Sequence, residues 1–198
     1  PDSASGGRLY AASSAMYVQD GNGRSTVKVS DPGSGNSYTW ELTSDGNWKA
    51  PAGKGIDFGA QTSSTATGAT TNVEVLDHYE EGTWTPSFNE SVSCTVSNAS
   101  YVKIGKIVHL SAVVSSPNST PSEILRITSL PFAAAHAQAC GTMFGFDVNE
   151  QTFCTYINGS HQLFFYGINS GGAWTSLSWD DLVSGSHVYF DATYVANT

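Results

Sequence analysis

The chain has 198 residues, of which 13% are charged and 12% aromatic, and its formal net charge is −9. A negative balance of this size argues against binding to nucleic acid or docking on an anionic membrane, since both call for clustered Lys and Arg. No apolar run approaches the roughly 18 residues that indicate a membrane-spanning helix, so we expect no membrane insertion. Few charges combined with many aromatic and β-branched residues argue against disorder and favour an all-β fold of short strands.

Residues 1–59 alternate short apolar runs with strong turn signals. The apolar runs at 9–18, 26–29 and 38–42 are separated by turns rich in Asp, Asn and Gly, residues that supply the positive φ of tight hairpins. Strands this short bury too little surface to be stable in a monomer. We therefore predict a slender β-rich segment whose apolar faces are buried between three copies of the chain.

Residues 61–72 contain only Gln, Ser, Thr, Ala, Gly and Asn, with neither charge nor periodicity. That composition is typical of a linker or an extended crossover between domains. We predict a fibre shaft or collar segment over residues 1–72, which ends in this linker, and a separate C-terminal domain over residues 73–198. Because the chain begins with Pro1, we also expect that a longer protein precedes it.

An acidic and aromatic phrase, LDHYEEGTWTP, occupies residues 76–86. Asp77, Glu80 and Glu81 could hold a calcium ion, because hard cations take several carboxylate oxygens, but the usual calcium-loop pattern is missing. The same carboxylates would serve equally well as hydrogen-bond acceptors between chains near a domain boundary. We favour this second interpretation and predict no metal site.

The C-terminal domain reads as a succession of short strands separated by turns. Trp84 and Pro86 lie in the first of these strands, where we expect them to pack at the base of the domain rather than contact a ligand. Residues 133–139 could form one helical turn. Many short strands with regular turn signals favour a β-sandwich, of the jelly-roll kind. The predicted strands are 83–88, 92–96, 101–104, 106–114, 124–127, 143–148, 153–157, 162–168, 174–179 and 187–195.

Three phrases follow one another at residues 76–86, 101–110 (YVKIGKIVHL) and 125–133 (LRITSLPFA). Together they resemble the C-terminal region of tail-fibre, receptor-binding proteins of tailed bacteriophages. Chains of that family often read "LDDYEEGTWTP", then "YxKIGxxVxV", then "LRITGLPF". The resemblance covers roughly residues 55–133. His78 stands where the family commonly has Asp, and this departure weakens any carry-over of metal binding.

The resemblance implies a tail-fibre protein of the virion, assembled in the cytoplasm of a bacterial host. In that setting the chain would form a homotrimer and join other phage tail proteins. Its C-terminal head would adhere to a glycan or an outer-membrane protein on the host surface. The phrase at 76–86 occurs in family members with different receptors, which marks it as architectural. Its structural or interchain residues would be Asp77, Tyr79, Glu80, Glu81, Trp84 and Pro86.

The three cysteines, Cys94, Cys140 and Cys154, are an odd number at unrelated spacings, with no C-x-x-C pair. A disulfide framework needs an even set. Each cysteine sits among apolar or small residues, where free Cys behaves as a small hydrophobe. We predict reduced, buried thiols, which fits assembly in a bacterial cytoplasm.

The Gly-rich stretch 166–174 and the Trp and Asp residues after it form the candidate receptor site. Faces of Trp and Tyr stack on the apolar faces of sugar rings, and neighbouring carboxylates accept hydrogen bonds from sugar hydroxyls. Loops on a rigid scaffold commonly carry binding. The alternative is that the two Trp side chains pack in the core and the two Asp side chains are simply solvated. The candidate contacts are Tyr166, Asn169, Trp174, Trp179, Asp180 and Asp181.

The sequence shows no convincing catalytic arrangement. Asp180 and Asp181 are adjacent, so on a strand they would face opposite ways, whereas a glycosidase needs two carboxylates that flank one bond. The G-x-S-x-G, HExxH and P-loop patterns are missing from the sequence, and its His residues are isolated. We predict an attachment protein that is not an enzyme and uses no cofactor.

Two other functions remain open. The first is a tailspike that depolymerises a surface polysaccharide, although the enzymatic body of such proteins is usually a β-helix, and the chain lacks the internal repeat that marks one. The second is a purely structural virion component, such as a head fibre, with no receptor of its own.

Overall fold

The computed structural model describes residues 25–30, 36–58, 75–145, 152–159, 161–168, 171–182 and 187–197. Its regular structure consists of antiparallel strands and one short 3-10 turn, so the predicted all-β fold is confirmed over these ranges. Within them, no helix is long and apolar enough to cross a membrane. The chain divides into two compact units, residues 1–77 and residues 78–198.

Within its described residues, the first unit contains two small antiparallel sheets. The first sheet consists of β1 (Ser25–Ser30), β2 (Ser37–Leu42) and β3 (Trp48–Lys49), and the second pairs β4 (Ile56–Asp57) with β5 (Val75–Leu76). In the turn between β2 and β3, the Asn47 amide donates a hydrogen bond to Thr43 Oγ1 at 3.1 Å. Gly46 in this turn has a φ of 82°, which agrees with the positive φ predicted for the tight turns of this segment. The predicted linker and the boundary at 72–73 lie outside the described residues, as does the apolar run at 9–18.

Large apolar side chains of the first unit remain on its surface. Trp48 is 59% exposed even though its ring stacks on Trp40, with ring centroids 6.2 Å apart. Strands of two to six residues are too short to cover such side chains. The other exposed apolar residues here are Val27, Leu42, Ile56, Phe58, Val75 and Leu76.

The part of the second unit that the structure describes forms two five-stranded antiparallel sheets. The first sheet has the order β11 (Met143–Phe144), β15 (His187–Val195), β8 (Ile107–Ser115), β7 (Thr95–Ile104) and β6 (Tyr79–Thr83). The second has the order β10 (Gln138–Gly141), β12 (Thr152–Ile157), β13 (Leu163–Ile168) and β14 (Trp174–Ser176), and β9 (Arg126–Ile127) also pairs with β13. The 3-10 turn, Trp179–Asp181, follows β14.

The two sheets of the second unit share one hydrophobic core. Because side chains alternate along a strand, every second residue of β15 is buried. Phe190 of β15 meets Phe165 of β13 edge to face, with ring centroids 5.2 Å apart and planes at 86°. Burial of each such side chain stabilises the fold by roughly 1.5–3 kcal/mol. The other large, fully buried apolar side chains are Val108, Leu110, Ile127, Ile157, Leu163, Leu177, Trp179, Val188 and Tyr194.

Several predictions of local structure are wrong. The predicted strand at 174–179 ends at Ser176, and Trp179 begins the 3-10 turn instead. The predicted strand at 83–88 ends at Thr83, because β6 uses the acidic phrase instead and Pro86 has no N–H for a ladder. The separate strands predicted at 92–96 and 101–104 are one strand, β7, interrupted by a bulge between Ser97 and Ser100. Residues 133–139 form no helical turn, since Ala134 pairs with Ala196 in an antiparallel bridge.

The sequence indicates a turn at Gly105 and a two-residue hairpin turn at Asn158-Gly159, and only the first is confirmed. Gly105, between β7 and β8, has a φ of 55°, a value that favours glycine. The Asn158-Gly159 pair lies between β12 and β13, where Asn158 Oδ1 accepts a hydrogen bond from the Gln162 amide at 2.9 Å. The strand pairing closes at Ile157 and Leu163, so the second loop is longer than two residues, and a positive φ, 64°, is found at His161. The turns set the register of the hairpins, and the register decides which side chains face outward.

Candidate functional site

Four aromatic side chains lie together on the outer face of the sheet that contains β12, β13 and β14. We call Tyr156, Phe164, Tyr166 and Trp174 the aromatic face. The Tyr166 ring centroid lies 4.8 Å from that of Trp174 and 5.9 Å from that of Tyr156. The Phe164 ring stacks on Tyr166 with centroids 6.3 Å apart and planes at 27°. The four rings therefore form one continuous cluster.

Strand alternation places two of these rings outside. In β13, Leu163 and Phe165 are buried in the core. Phe164 and Tyr166, which follow them, therefore point to the opposite face of the sheet. Phe164 and Tyr166 are accordingly only partly buried. The core therefore fixes the direction in which this half of the aromatic face points.

Register brings the other two rings to the same face. Tyr156 of β12 is paired with Phe164, and Trp174 of β14 is paired with Ile168 of β13. Directly paired residues of an antiparallel sheet share a face, with side chains close enough to touch. Trp174 is 58% exposed, so its ring is available to a ligand.

The centre of the aromatic face is uncharged. Burial raises the pKa of the Tyr166 phenol, and the neighbouring Tyr156 and Cys154 raise it further, so this hydroxyl stays protonated and can both donate and accept hydrogen bonds. Burial also raises the pKa of the Cys154 thiol, which keeps it neutral. On the adjacent strand β9, Nη2 of Arg126 lies 3.9 Å from Oε1 of Glu90. The face thus combines apolar rings and neutral hydrogen-bonding groups at its centre with one charged group at its edge, since Arg126 is paired with Phe164.

The structure separates the predicted receptor contacts. Tyr166 and Trp174 belong to the aromatic face, and Asn169 lies outside the described residues. Trp179 is fully buried, and its Nε1 donates a hydrogen bond to Oδ1 of Asn89 at 3.1 Å. A buried ring offers no surface to a ligand. For Trp179, the alternative interpretation, that its side chain packs in the core, is therefore the correct one.

Asp180 and Asp181 stabilise the 3-10 turn. Oγ of Ser178 lies within hydrogen-bond distance of both carboxylates, 2.8 Å from Oδ2 of Asp181, and the Ser178 amide donates to that same oxygen at 2.7 Å. A carboxylate at the first turn of a helix accepts hydrogen bonds from amides that have no partner within the helix. The role shown for this pair is therefore local and structural.

The carboxylates of the acidic phrase point to two faces of β6 and bond to separate tyrosines. Tyr79 donates to Oε2 of Glu81 at 2.9 Å, and that hydrogen bond raises the pKa of the Tyr79 phenol. Tyr101 donates to Oε1 of Glu80 at 3.2 Å, and the ring of His78 lies 3.2 Å from Oε2 of Glu80. Among the residues that the structure describes, no group of three or more His, Cys, Asp or Glu side chains could hold a metal ion.

The remaining residues of the phrase differ in burial. Trp84 is buried, and its Nε1 donates to the backbone carbonyl of Ser111 at 3.3 Å. Pro86 is buried as well, whereas Asp77 is exposed at the end of the first unit. The two ring residues thus pack within the second unit.

Two cysteines are described as free thiols, and both are only partly buried. Burial raises the pKa of Cys94 to about 11, so this thiol is protonated at neutral pH. Both residues agree with the predicted reduced thiols, but their partial exposure does not agree with the prediction that the thiols are buried. The side chain of Cys140 lies outside the described residues.

Sequence reasoning missed Tyr156 and Phe164 as members of the aromatic face. A usable signal was present, because both lie in predicted strands next to residues of the buried set. Which residues of two strands share a face depends on their pairing register, and the register appears only when the strands are assembled.

Comparisons of this chain with models of protein families, with curated proteins and with solved structures find no match.

Proposed function

We propose that this chain is the distal part of a trimeric tail fibre of a tailed bacteriophage and that it attaches the virion to a glycan on the host surface. The observation that carries the proposal is the aromatic face. An exposed, uncharged cluster of rings with neutral hydroxyls matches a sugar, which has apolar C–H faces and hydroxyl edges. The resemblance of the three phrases at 76–86, 101–110 and 125–133 to tail-fibre proteins supports the same assignment.

Exposed apolar residues support a trimeric assembly. In the first unit, Trp48, Ile56 and Val27 are each more than half exposed. Removal of apolar surface from water contributes roughly 25 cal/mol per Å², so contact between copies would stabilise these strands. Three heads on one fibre would also convert three weak receptor contacts into strong attachment, through effective concentration.

The two five-stranded sheets that share one core support a sandwich-like, jelly-roll-type head. In such a head the outer faces and the end loops are free to carry receptor contacts, while the inner faces supply stability. The aromatic face is one of these outer faces.

The assignment is attachment rather than hydrolysis. Asp180 and Asp181, the adjacent carboxylates nearest in sequence to Trp179, both lie within hydrogen-bond distance of Oγ of Ser178. Two carboxylates that share one serine hydroxyl do not flank a space for a glycosidic bond, as a glycosidase requires.

The proposal is tested with the purified chain by two measurements. Light scattering should give a molar mass near three times the 20.9 kDa of one chain, and a clean monomer would contradict the trimer. Labelled protein should bind susceptible host cells, and periodate oxidation of their glycans should abolish that binding. Binding that survives periodate but not protease treatment of the cells would identify a protein receptor, and no binding at all would favour a purely structural fibre.

A further inference from the structure

The other sheet of the second unit has a cavity of about 350 Å³ on its outer surface. The cavity lies across β7, β8, β15 and β11. Its lining residues Ser111, Tyr189 and Asp191 alternate along their strands with core residues, so their side chains point away from the core. It is therefore a separate site. Its volume is at the lower end of the range for small-molecule pockets, about 300 Å³ and upwards.

One wall of the cavity is aromatic and apolar. Tyr189 of β15 is paired with Val113 of β8 on one side and with Phe144 of β11 on the other. Phe144 is 75% exposed and Tyr189 is 50% exposed, with their ring centroids 6.4 Å apart. Rings this exposed do little for the core, so they are free to pack on a ligand.

The neighbouring row of the sheet supplies a polar wall. Asp191 of β15 is paired with Ser111 of β8, two residues along from the aromatic row. Oδ1 of Asp191 accepts hydrogen bonds from the amide of Thr142 at 2.6 Å and from its hydroxyl at 3.1 Å. These two bonds hold the carboxylate in one orientation, and Oδ2 accepts no hydrogen bond from any residue that the structure describes.

The bulge in β7 adds an amide at the third side of the cavity. The register of β7 against β8 shifts between Ser97 and Ser100, and Asn98 within the bulge has a φ of 52°. Bulges commonly re-aim a side chain out of the regular ladder. Asn98 lines the cavity and is exposed, and its side chain makes no hydrogen bond within the described ranges.

The chemistry of the walls selects one class of ligand. A metal ion would need more than the single carboxylate of Asp191. An anion would be repelled by Asp191 and by the net charge of −9. A purely apolar molecule would leave the carboxylate and the amide without partners. A neutral sugar ring suits both walls. Its apolar C–H face can pack on the aromatic wall, and its hydroxyls can donate and accept hydrogen bonds at the polar wall.

We infer that this cavity binds a neutral pyranose ring, with the ring stacked on Phe144 and Tyr189 and its hydroxyls bonded to Oδ2 of Asp191 and the amide of Asn98. The chain then has two saccharide-binding surfaces on opposite sides of one domain. The second site does not depend on the function proposed above, since it uses none of the residues of the aromatic face.

The test is saturation-transfer NMR on the full chain with methyl glucopyranoside, methyl galactopyranoside and methyl mannopyranoside at millimolar concentration. We expect transfer to at least one of these probes, with an affinity that falls about tenfold in Phe144→Ala and in Asp191→Asn. Phe144 is mostly exposed, and Asn at 191 keeps an oxygen for Thr142, so both variants should fold. Ile107→Ala is the matched control and should leave this transfer unchanged, because Ile107 is an exposed apolar residue of β8 that does not line the cavity.

Two results would overturn the inference. One is that none of the three probes shows transfer with the wild-type protein. The other is transfer that persists in Phe144→Ala and Asp191→Asn. If that persistent transfer disappears in Trp174→Ala, the sugar binds at the aromatic face, and the proposed function stands without a second site. Loss of host-cell binding is measured separately, so failure of one proposal is distinguishable from failure of the other.

Discussion

The indole Nε1 of Trp179 donates a hydrogen bond of 3.1 Å to Oδ1 of Asn89, a residue 90 positions earlier in the chain. The same oxygen accepts a hydrogen bond from the amide of Arg126 at 3.1 Å, and Nδ2 of Asn89 donates to the carbonyl of Ile124 at 2.9 Å. Asn89 is itself buried. Since buried polar groups need partners, this one amide ties together three segments that are distant in sequence.

We expect Asn89→Ala to lower the free energy of unfolding by about 2–4 kcal/mol. The substitution leaves the indole N–H of Trp179, the amide of Arg126 and the carbonyl of Ile124 without their partner inside the protein. Trp179→Phe removes the indole donor and also leaves a small cavity in the core, so it should lower the free energy of unfolding by a similar amount, about 2–4 kcal/mol. Urea unfolding at one fixed protein concentration measures both changes.

Asn118→Ala is the control for this prediction. Oδ1 of Asn118 accepts a hydrogen bond from the amide of Ser93 at 2.9 Å, but the contact is exposed to solvent. Water can replace the lost acceptor, so the free energy of unfolding should fall by less than about 1 kcal/mol. Equal losses for Asn118→Ala and Asn89→Ala would show that the buried amide has no special role.

Gly141→Ala should destabilise the second unit. A Cβ at this position would lie 2.2 Å from the carbonyl oxygen of Asp191, a distance that forces the backbone to move. Because β10 and β15 would have to separate there, we expect a loss of about 3 kcal/mol or more, or a protein that fails to fold. The midpoint of thermal unfolding, followed by circular dichroism, measures the change.

Gly159→Ala is the matched substitution in open space. No heavy atom lies within 4 Å of a Cβ built at Gly159, so the thermal midpoint should shift little. A large shift for Gly159→Ala, or none for Gly141→Ala, would contradict the close approach between Gly141 and Asp191.

Sequence patterns predicted the class of the fold and most strands of the second unit. The reason is that these strands are half-buried, so their apolar residues recur with period two, as in β15 (His187–Val195). Where the pattern failed, the cause was an interaction between distant segments. Pairing of Ala134 with Ala196 overrode a weak local helical tendency at 133–139, for example.

The candidate site was predicted only in part, for the same reason. Trp174 and Trp179 are five positions apart in similar local sequence, yet one is exposed and the other is in the core. Trp179 donates a hydrogen bond to Asn89, a residue 90 positions earlier, and Trp174 has no such partner in the described ranges. No local pattern contains that contact. The partners of Trp174 on the aromatic face depend likewise on strand register.

Stability should fall as the pH rises from about 9 to about 11, partly because of Cys94. Burial raises the pKa of this thiol in the folded protein from an ordinary 9.0 to about 11, so the unfolded chain loses its proton first. The contribution is therefore fully present below pH 9 and is lost as the pH rises through about 11. Urea unfolding under reducing conditions should show a smaller decline over this interval in Cys94→Ala than in the wild type. Equal declines in the two proteins would remove Cys94 as a cause.

Trp174→Ala should weaken attachment to susceptible host cells by at least about tenfold, since it removes the most exposed ring of the aromatic face. The ring contributes little to the core, so the free energy of unfolding should change by less than about 1 kcal/mol. Trp48→Ala is the matched control, because Trp48 is 59% exposed but lies in the first unit. That control should leave the affinity of each head unchanged. Titration of labelled protein onto cells, with light scattering to verify equal assembly, measures the effect. Undiminished binding by Trp174→Ala would exclude the aromatic face as the receptor site.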